Sequence, residues 1–202
     1  MRESYYQNRF RRTSRRLNGW DYTRDGYYFV TICTAKSAML LGNIINGQME
    51  LNKFGEIATD EWKNTFELRE NINPDKFIVM PNHIHVIIAL HSGTSMAHES
   101  GTSADTVMAR HDGTAAAPSH QKFGNPISGS ISTIIGAYKS SVTKRINILR
   151  NTSGETIWQP RFHDRIIRTK KELDNVRKYI EQKPAKWGSD KHNTSFKVAG
   201  IR

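Results

Sequence analysis

The sequence predicts an α+β sandwich built around an antiparallel β-sheet. Short runs rich in β-branched and aromatic residues alternate with segments of helical periodicity, in the order strand, helix, strand pair, helix, strand, helix. The chain has 202 residues, 37% of them hydrophobic, which is enough for one domain with its own core. Because Cys33 is the only cysteine, no internal disulfide contributes to this fold.

The first half of the chain carries three clear signals. Residues 27–34 (YYFVTICT) form a strand pattern, and residues 43–51 contain an Asn46-Gly47 pair that is typical of a two-residue hairpin. A helix through about residue 69 follows from the spacing of Phe54, Ile57, Ala58, Trp62 and Phe66. Residues 77–80 and 83–90 are apolar runs on either side of Pro81-Asn82, which predicts a strand pair or one long bent strand.

The second half begins with residues 92–122, a low-complexity stretch rich in Ser, Ala and His that we expect to be a loop. A second amphipathic helix follows, with the apolar stripe Ile131, Ile134, Ile135, Tyr138, Val142, Ile146 and Leu149. Residues 157–161 and 164–168 predict a further strand. A last helix begins at a capping box formed by Thr169 and Glu172 and ends before Pro184.

The net charge of +11 is unevenly distributed along the chain. Residues 1–24, predicted to be a basic arm, balance at +5, and residues 139–187 balance at +8, whereas residues 25–138 balance at −4. Two basic ends around an acidic middle favour a polyanion, and nucleic acid in particular, as partner. An ordinary basic surface is the alternative. The main domain is predicted over residues 25–187 and a tail over residues 188–202.

Other classes of protein are disfavoured by the composition. The apolar run 86–90 is far too short to cross a bilayer, and the N-terminal residues have no apolar segment of the signal-peptide type. We therefore expect no membrane partner and a cytoplasmic location. No Gly-rich phosphate loop is present, so no nucleotide cofactor is expected.

Two features carry chemistry. His83 and His85 lie two residues apart on a predicted strand, so both imidazoles project from the same face and can converge on one ion, with Ile84 pointing towards the helices. Alone, such a pair is more often two strand histidines without a metal. Tyr179 lies on the last helix among basic neighbours that would help a phenol react as phenolate, although a half-buried structural tyrosine is the commoner case.

These features occur within motifs that resemble a known family. Residues 81–88 (PNHIHVII) look like the HUH motif of single-tyrosine transposases. Residues 157–164 (IWQPRFHD) and 176–184 (VRKYIEQKP) resemble their C-terminal tyrosine-helix region, and the nearest branch is that of the REP-associated tyrosine transposases, relatives of insertion-sequence transposases. Residues 123–126 (FGNP) and the stretch 130–140 also resemble this branch. The likeness covers residues 25–187 apart from the loop.

The resemblance implies a ferredoxin-like antiparallel sheet with helices on one face and a C-terminal helix that carries the catalytic tyrosine. It implies Mg²⁺ or Mn²⁺ held by His83 and His85, and Tyr179 as the nucleophile that cuts hairpin-bearing single-stranded DNA. Transesterification would leave a 5′-phosphotyrosine and a free 3′-OH, which can later be rejoined. The resemblance also implies a monomer or a homodimer associated with the nucleoid.

One position departs from the family pattern. An asparagine that ligates the metal is expected four residues after the tyrosine, but this chain has Lys183, whose ammonium cannot coordinate a cation. Three possibilities remain open. Gln182 takes the role, or the two histidines act with water and DNA, or the nuclease is impaired and still binds hairpins.

We expect DNA to contact basic residues in the arm, on both C-terminal helices and, at Arg161, in the predicted strand between them. These are Arg9, Arg11, Arg12, Arg15, Arg16, Lys139, Lys144, Arg145, Arg161, Arg177, Lys178 and Lys183. The main alternative is a domesticated DNA-hairpin-binding protein that does not cut. A more remote one is an RNA-binding ferredoxin-like module, for which residues 27–29 are a loose match to the aromatic sheet face that such modules use. A small-molecule enzyme fits least.

Overall fold

The computed structural model describes residues 20–91 and 127–193, together with the backbone of two short paired strands, β1 (Tyr5–Tyr6) and β2 (Arg9–Phe10). The predicted loop at about residues 92–122 lies outside the described residues, as does most of the predicted basic arm.

The described residues build a four-stranded sheet with three α-helices. The elements are β3 (Gly26–Cys33), β4 (Gly42–Ile45), β5 (Gln48–Leu51), α1 (Lys53–Glu67), β6 (Ile72–Met80), β7 (His83–Leu90), α2 (Ile131–Leu149), β8 (His163–Ile167) and α3 (Lys170–Glu181). The strand order is β6-β7-β3-β8, and every pair is antiparallel. Two interleaved βαβ units, β3-α1-β6 and β7-α2-β8, produce this order, which is the ferredoxin-like topology predicted.

Each face of the sheet is covered by different helices. Alternate residues of β3, including Tyr28 and Val30, are buried in one core beneath α1 and α2. The opposite face of the sheet, which includes Tyr27 of β3 and Ile87 of β7, packs against the apolar stripe of α3. Since successive side chains of a strand point to opposite faces, α3 shares its face with every second residue of β7. This placement decides which side chains can meet Tyr179.

The β6–β7 hairpin settles whether residues 72–90 form a strand pair or one bent strand. Met80 pairs with His83, and Pro81-Asn82 forms the turn between them. Proline has no N–H to donate and a fixed φ, so the ladder stops there and the chain reverses. Strand β6 begins at Ile72, earlier than predicted, with an irregularity between Pro74 and Phe77.

The predicted hairpin at Asn46-Gly47 is confirmed between β4 and β5. Both turn residues have positive φ, 51° at Asn46 and 75° at Gly47. A two-residue turn of this kind matches the right-handed twist of the strands, and asparagine and glycine adopt it at low cost.

The strand before α3 is shorter than predicted. Residues 157–161 contribute only an isolated bridge between Trp158 and Thr34, and the strand proper is His163–Ile167. Pro160 explains the interruption because it cannot donate to a ladder. The helix start agrees better with the prediction: Thr169 Oγ1 accepts a hydrogen bond from the Glu172 N–H at 3.1 Å.

Residues beyond the two predicted ends of the main domain contact it. Trp20 belongs to the domain, because it packs against the core and its Nε1 donates to the Tyr28 hydroxyl at 3.3 Å. At the other end, residues 188–193 fold back onto the sheet instead of beginning a tail: the His192 carbonyl accepts a hydrogen bond from Asn82 Nδ2 at 2.7 Å. None of the helices in the described ranges is long and apolar enough to span a bilayer.

Candidate active site

The two histidines share one face of the central strand β7, as the strand periodicity predicts. His83 and His85 are 0% and 2% exposed, and their ring centroids are 4.6 Å apart. Ile84 points the opposite way, into the core beneath α1 and α2. Because β7 is bonded to a neighbour on both sides, the backbone that carries these imidazoles is held rigidly.

Asn82 determines the tautomer of His83. The Asn82 Nδ2 atom donates to the carbonyls of His192 and Ser37, at 2.7 and 3.2 Å, so its Oδ1 must be the atom that faces His83 Nδ1, at 2.8 Å. An amide oxygen only accepts, so Nδ1 carries the proton and Nε2 carries the lone pair. This Nε2 atom is buried and has no hydrogen-bond partner in the part of the chain that the structure describes.

His85 is held in the same manner and faces the tyrosine. Its Nδ1 lies 2.9 Å from Thr31 Oγ1 on the neighbouring strand β3. Its Nε2 lies 3.5 Å from the Tyr179 hydroxyl, and the Phe29 ring packs at 5.1 Å. His85 Nε2 is therefore directed into the space below α3, and the His83 ring lies 4.6 Å from the His85 ring on the same face of the sheet.

Tyr179 reaches this space from the last turn of α3. Its side chain is 41% exposed, and its ring packs edge-on against Phe29 at 6.0 Å. The apolar residues Val176 and Ile180 anchor α3 on the sheet. Tyr179 lies at the edge of this apolar face of the helix, so its phenol is placed beside His85. Strand and helix, 94 residues apart in sequence, meet within one chain.

Lys183 is the unexpected member of the cluster. Its side chain is 4% exposed, and its Nζ lies 2.5 Å from the Tyr179 hydroxyl oxygen. The same Nζ forms an ion pair with Asp190, whose side chain is 5% exposed. Asp190 is positioned in turn because its Oδ1 accepts the N–H of His192 at 2.7 Å. A cation here also lies near the carboxyl end of α3, where the helix dipole favours it.

Asp190 and His192 were missed by sequence reasoning. Both lie in the segment predicted to be a tail, and no local motif marks them. The His192 ring packs against His83, with centroids 4.5 Å apart. Only the fold of residues 184–193 back onto β7 brings them to the site.

Burial determines the charge of the cluster. Burial, helped by the neighbouring His192 and Lys183, lowers the pKa of His83 to about 3. Burial also lowers the pKa of His85 well below its usual 6.5, so both imidazoles are neutral near pH 7. For Asp190, burial raises the pKa, but the hydrogen bonds from Lys183 and from the His192 N–H outweigh it and lower the pKa overall. Two neutral imidazoles thus face an ammonium–carboxylate pair.

The lowered pKa values predict acid sensitivity of the metal-free protein. Below the ordinary value of 6.5 the unfolded chain binds protons that folded His83 does not bind until about pH 3, so the free energy of unfolding falls as the pH drops through this window. His83 contributes up to about 1.4 kcal/mol per pH unit, and His85 acts with the same sign. Urea unfolding with a chelator, between about pH 7 and about pH 5, measures the slope. His83→Gln should reduce the dependence of the free energy of unfolding on pH. An unchanged slope would contradict the lowered pKa of His83.

Gln182, one possible substitute for the expected asparagine, lies outside the cluster. Its side chain is exposed, and its Oε1 accepts a hydrogen bond from Lys186 Nζ at 2.7 Å. Among the described residues, no group of three or more His, Cys, Asp or Glu side chains is arranged to hold a metal ion.

Several residues expected to contact DNA are engaged within the protein. Arg177 pairs with Asp75 at 2.6 Å, and Arg145 pairs with Glu61 at 2.8 Å. Lys139 Nζ donates to the carbonyl of Gln159 at 2.7 Å. The helix α2, which carries Lys139 and Arg145, packs on the opposite face of the sheet from Tyr179.

The remaining expected contacts fall into three groups. Lys144, Arg161 and Lys178 have exposed side chains. Lys183 is buried, so it is not a free surface cation. The side chain of Arg9 and the residues Arg11, Arg12, Arg15 and Arg16 lie outside what the structure describes.

No protein-family model matches this chain. An "Uncharacterized protein" of Haemophilus influenzae is 29% identical over 179 residues, which cover 89% of this chain and 91% of that protein. Among solved structures, a REP-associated tyrosine transposase bound to a REP hairpin has a TM-score of 0.50 and 18% identity, over 90% of this chain and 77% of the other. At this identity the likeness establishes the fold, and it confirms the predicted α+β class.

Proposed function

We propose that this chain, which has the fold of a structurally characterised REP-associated tyrosine transposase, belongs to that family. In this proposal it cuts and rejoins hairpin-bearing single-stranded DNA with Tyr179 as nucleophile. The observation that carries the proposal is the meeting of a phenol and two neutral imidazoles, with the Tyr179 hydroxyl 3.5 Å from His85 Nε2. A nucleophile beside two potential metal ligands is the constellation that phosphoryl transfer needs.

The two imidazoles fit a divalent cation. Each imidazole is neutral, and its Nδ1 atom is held by a polar neighbour, as is usual for histidines that ligate metals. His83 Nε2 presents a buried lone pair with no partner among the described residues, which a cation would satisfy. We infer that His83 and His85 hold Mg²⁺ or Mn²⁺, with water and phosphate oxygens as further ligands. A cation there would polarise the scissile phosphate.

The chain's own residues account for the remaining chemistry. The Tyr179 oxygen attacks phosphorus and forms the new P–O bond, while the bond between phosphorus and the 3′ oxygen breaks. The phenol proton passes to water, because Tyr179 is 41% exposed, and the leaving 3′ oxygen takes a proton from water. The 5′-phosphotyrosine keeps the phosphodiester energy, so the reverse attack by a 3′-OH rejoins DNA without a nucleotide cofactor.

Binding of the substrate follows from the charge distribution. The transposase with the same fold is bound to a REP hairpin, and a hairpin is the substrate that we propose here. The exposed cations Lys144, Arg161 and Lys178 would contact phosphates, and the arginines of residues 9–16 would contribute from the N-terminal side. Because Tyr179 contacts His85 of its own chain, a monomer suffices, although a homodimer is compatible with the proposal. Such a protein would act in the cytoplasm, at the nucleoid.

Covalent capture tests the proposal. The full chain is incubated with a pool of hairpin oligonucleotides with randomised loops and single-stranded flanks, with Mg²⁺, Mn²⁺ or a chelator. We expect the 3′-labelled fragment to migrate with the protein on a denaturing gel, and the 5′-labelled fragment to end in a free 3′-OH. No adduct from the pool under either metal would contradict cutting.

A second candidate function is favoured by one observation, the Lys183 ammonium in place of a neutral ligand. It is a DNA-hairpin-binding protein that does not cut. The same experiment distinguishes the two, because this candidate retains hairpins in a native gel and yields no adduct on the denaturing gel.

A further inference from the structure

We propose that Lys183 is a catalytic residue, whose ammonium is held by Asp190 and stabilises negative charge on the Tyr179 oxygen. This inference rests on the proposed function and assigns a role to the position that departs from the family pattern. In this view Lys183 does not weaken the site. It replaces a neutral side chain by a fixed positive charge at the reacting atom.

The ammonium lies within hydrogen-bond distance of the phenol oxygen. Lys183 Nζ lies 2.5 Å from the Tyr179 hydroxyl oxygen and 4.6 Å from the centre of its ring. An ammonium has three donors and no acceptor, so the phenol oxygen accepts the hydrogen bond. Hydrogen bonds from charged donors are shorter and about twice as strong as neutral ones. The bond strengthens as negative charge develops on the acceptor.

Buried neighbours hold the ammonium in place. Lys183 and Asp190 are only 4% and 5% exposed, so neither charge is solvated as a surface charge would be. Asp190 is itself anchored, because it accepts the His192 N–H at 2.7 Å and the His192 carbonyl accepts from Asn82 at 2.7 Å. Asn82 also orients His83, so one chain of hydrogen bonds connects the ammonium to the imidazole pair. A donor held in place before the reaction needs no reorganisation during it.

A purely structural role for the ion pair does not explain where the ammonium points. An ion pair that only fastens residues 184–193 to α3 does not need its ammonium directed at the hydroxyl oxygen of Tyr179, a residue that is 41% exposed. Lys186, three residues later and exposed, shows the ordinary alternative, since its ammonium bonds to Gln182 one turn back on the surface. Lys183 instead points inward to the hydroxyl that faces His85 Nε2.

The role of Lys183 is electrostatic at each step. When the Tyr179 oxygen attacks phosphorus, the phenol proton passes to water and Lys183 stays protonated, stabilising the oxygen that loses its proton. When the strand is rejoined, the P–O bond to Tyr179 breaks, and Lys183 stabilises the departing phenolate until it takes a proton from water. No proton is consumed by Lys183 in either direction.

The test uses two readouts on full-length variants, one of which needs no DNA. Nitration of Tyr179 by tetranitromethane, measured by mass spectrometry of its peptide, reports how readily the phenolate forms, because the phenolate is the form that reacts, at the ring carbon next to the oxygen. Adduct formation on the hairpin pool reports the reaction itself. We expect Lys183→Met and Lys183→Asn to lower both the nitration rate and the rate of adduct formation, the latter by about 100-fold. Lys183→Arg should restore most of each rate. Lys186→Met is the matched control and should leave both rates unchanged.

Two outcomes would overturn the inference. A gain of adduct formation in Lys183→Asn would mean that Lys183 only displaces a metal ligand. Because loss of one charge could unfold the protein, the double variant Lys183→Met/Asp190→Asn, which leaves no unpaired charge, is measured alongside a thermal melt. Wild-type rates in this folded double variant would make the ion pair purely structural. If wild-type protein forms no adduct but its nitration still depends on Lys183, the proposed function fails and the electrostatic role survives.

Discussion

Tyr179→Phe is expected to abolish the covalent protein–DNA adduct, by at least about 10⁴-fold, because the substitution removes the nucleophile itself. The ring remains, so its edge-on contact with Phe29 at 6.0 Å is kept. The Lys183 ammonium keeps its ion pair with Asp190, and the cost in stability should not exceed about 1 kcal/mol. The measurement is adduct yield on a denaturing gel beside hairpin affinity on a native gel.

The matched control for this substitution is Tyr27→Phe. Tyr27 lies on the same face of the sheet, is 5% exposed and packs in the smaller core, away from the histidines. Its loss of a hydroxyl should leave adduct formation unchanged. An adduct that persists in Tyr179→Phe would remove Tyr179 from the mechanism, and a loss of hairpin binding would assign it to recognition instead of chemistry.

Trp62→Ala is expected to cost about 3–5 kcal/mol of the free energy of unfolding, which is large against the total stability of a domain of this size. Trp62 is 4% exposed on α1, lies flat on Phe77 of β6 at 5.4 Å and meets Tyr138 of α2 edge-on at 5.2 Å. One ring therefore joins both helices to the sheet. Its truncation leaves a cavity that three elements share and cannot easily close.

Urea unfolding followed by circular dichroism measures this loss. The control is Leu68→Ala at the end of the same helix, where the side chain is 79% exposed and the change should stay within about 0.5 kcal/mol. A loss below about 1 kcal/mol in Trp62→Ala would mean that the core repacks around the gap, contrary to the interlocked ring geometry.

Much of the fold could be predicted from the sequence because the signals are local. Strand periodicity placed His83 and His85 on one face and Ile84 on the other, and the structure confirms both. The Asn46-Gly47 turn and the Thr169 cap depend on two to four neighbouring residues and were equally predictable. The end of a strand at Pro160 was missed although its signal was present, since a proline within a strand pattern argues against pairing.

The composition of the site was decided by tertiary structure. Which face of the sheet α3 covers, and hence whether the phenol reaches His85, depends on packing between segments 94 residues apart. Lys183 and Asp190 meet because the chain reverses again after α3. No periodic pattern in the sequence predicts this reversal.

From the sequence by itself, the α+β class, the two histidines on one strand face and the candidate nucleophile on the last helix were determined, because each rests on local spacing or on a short motif. Only the tertiary structure decided that the lysine in place of the expected asparagine is a buried, paired cation 2.5 Å from the phenol oxygen. The physical reason is that burial and ion pairing depend on the distances between segments remote in sequence, and those distances are set by how the whole chain packs.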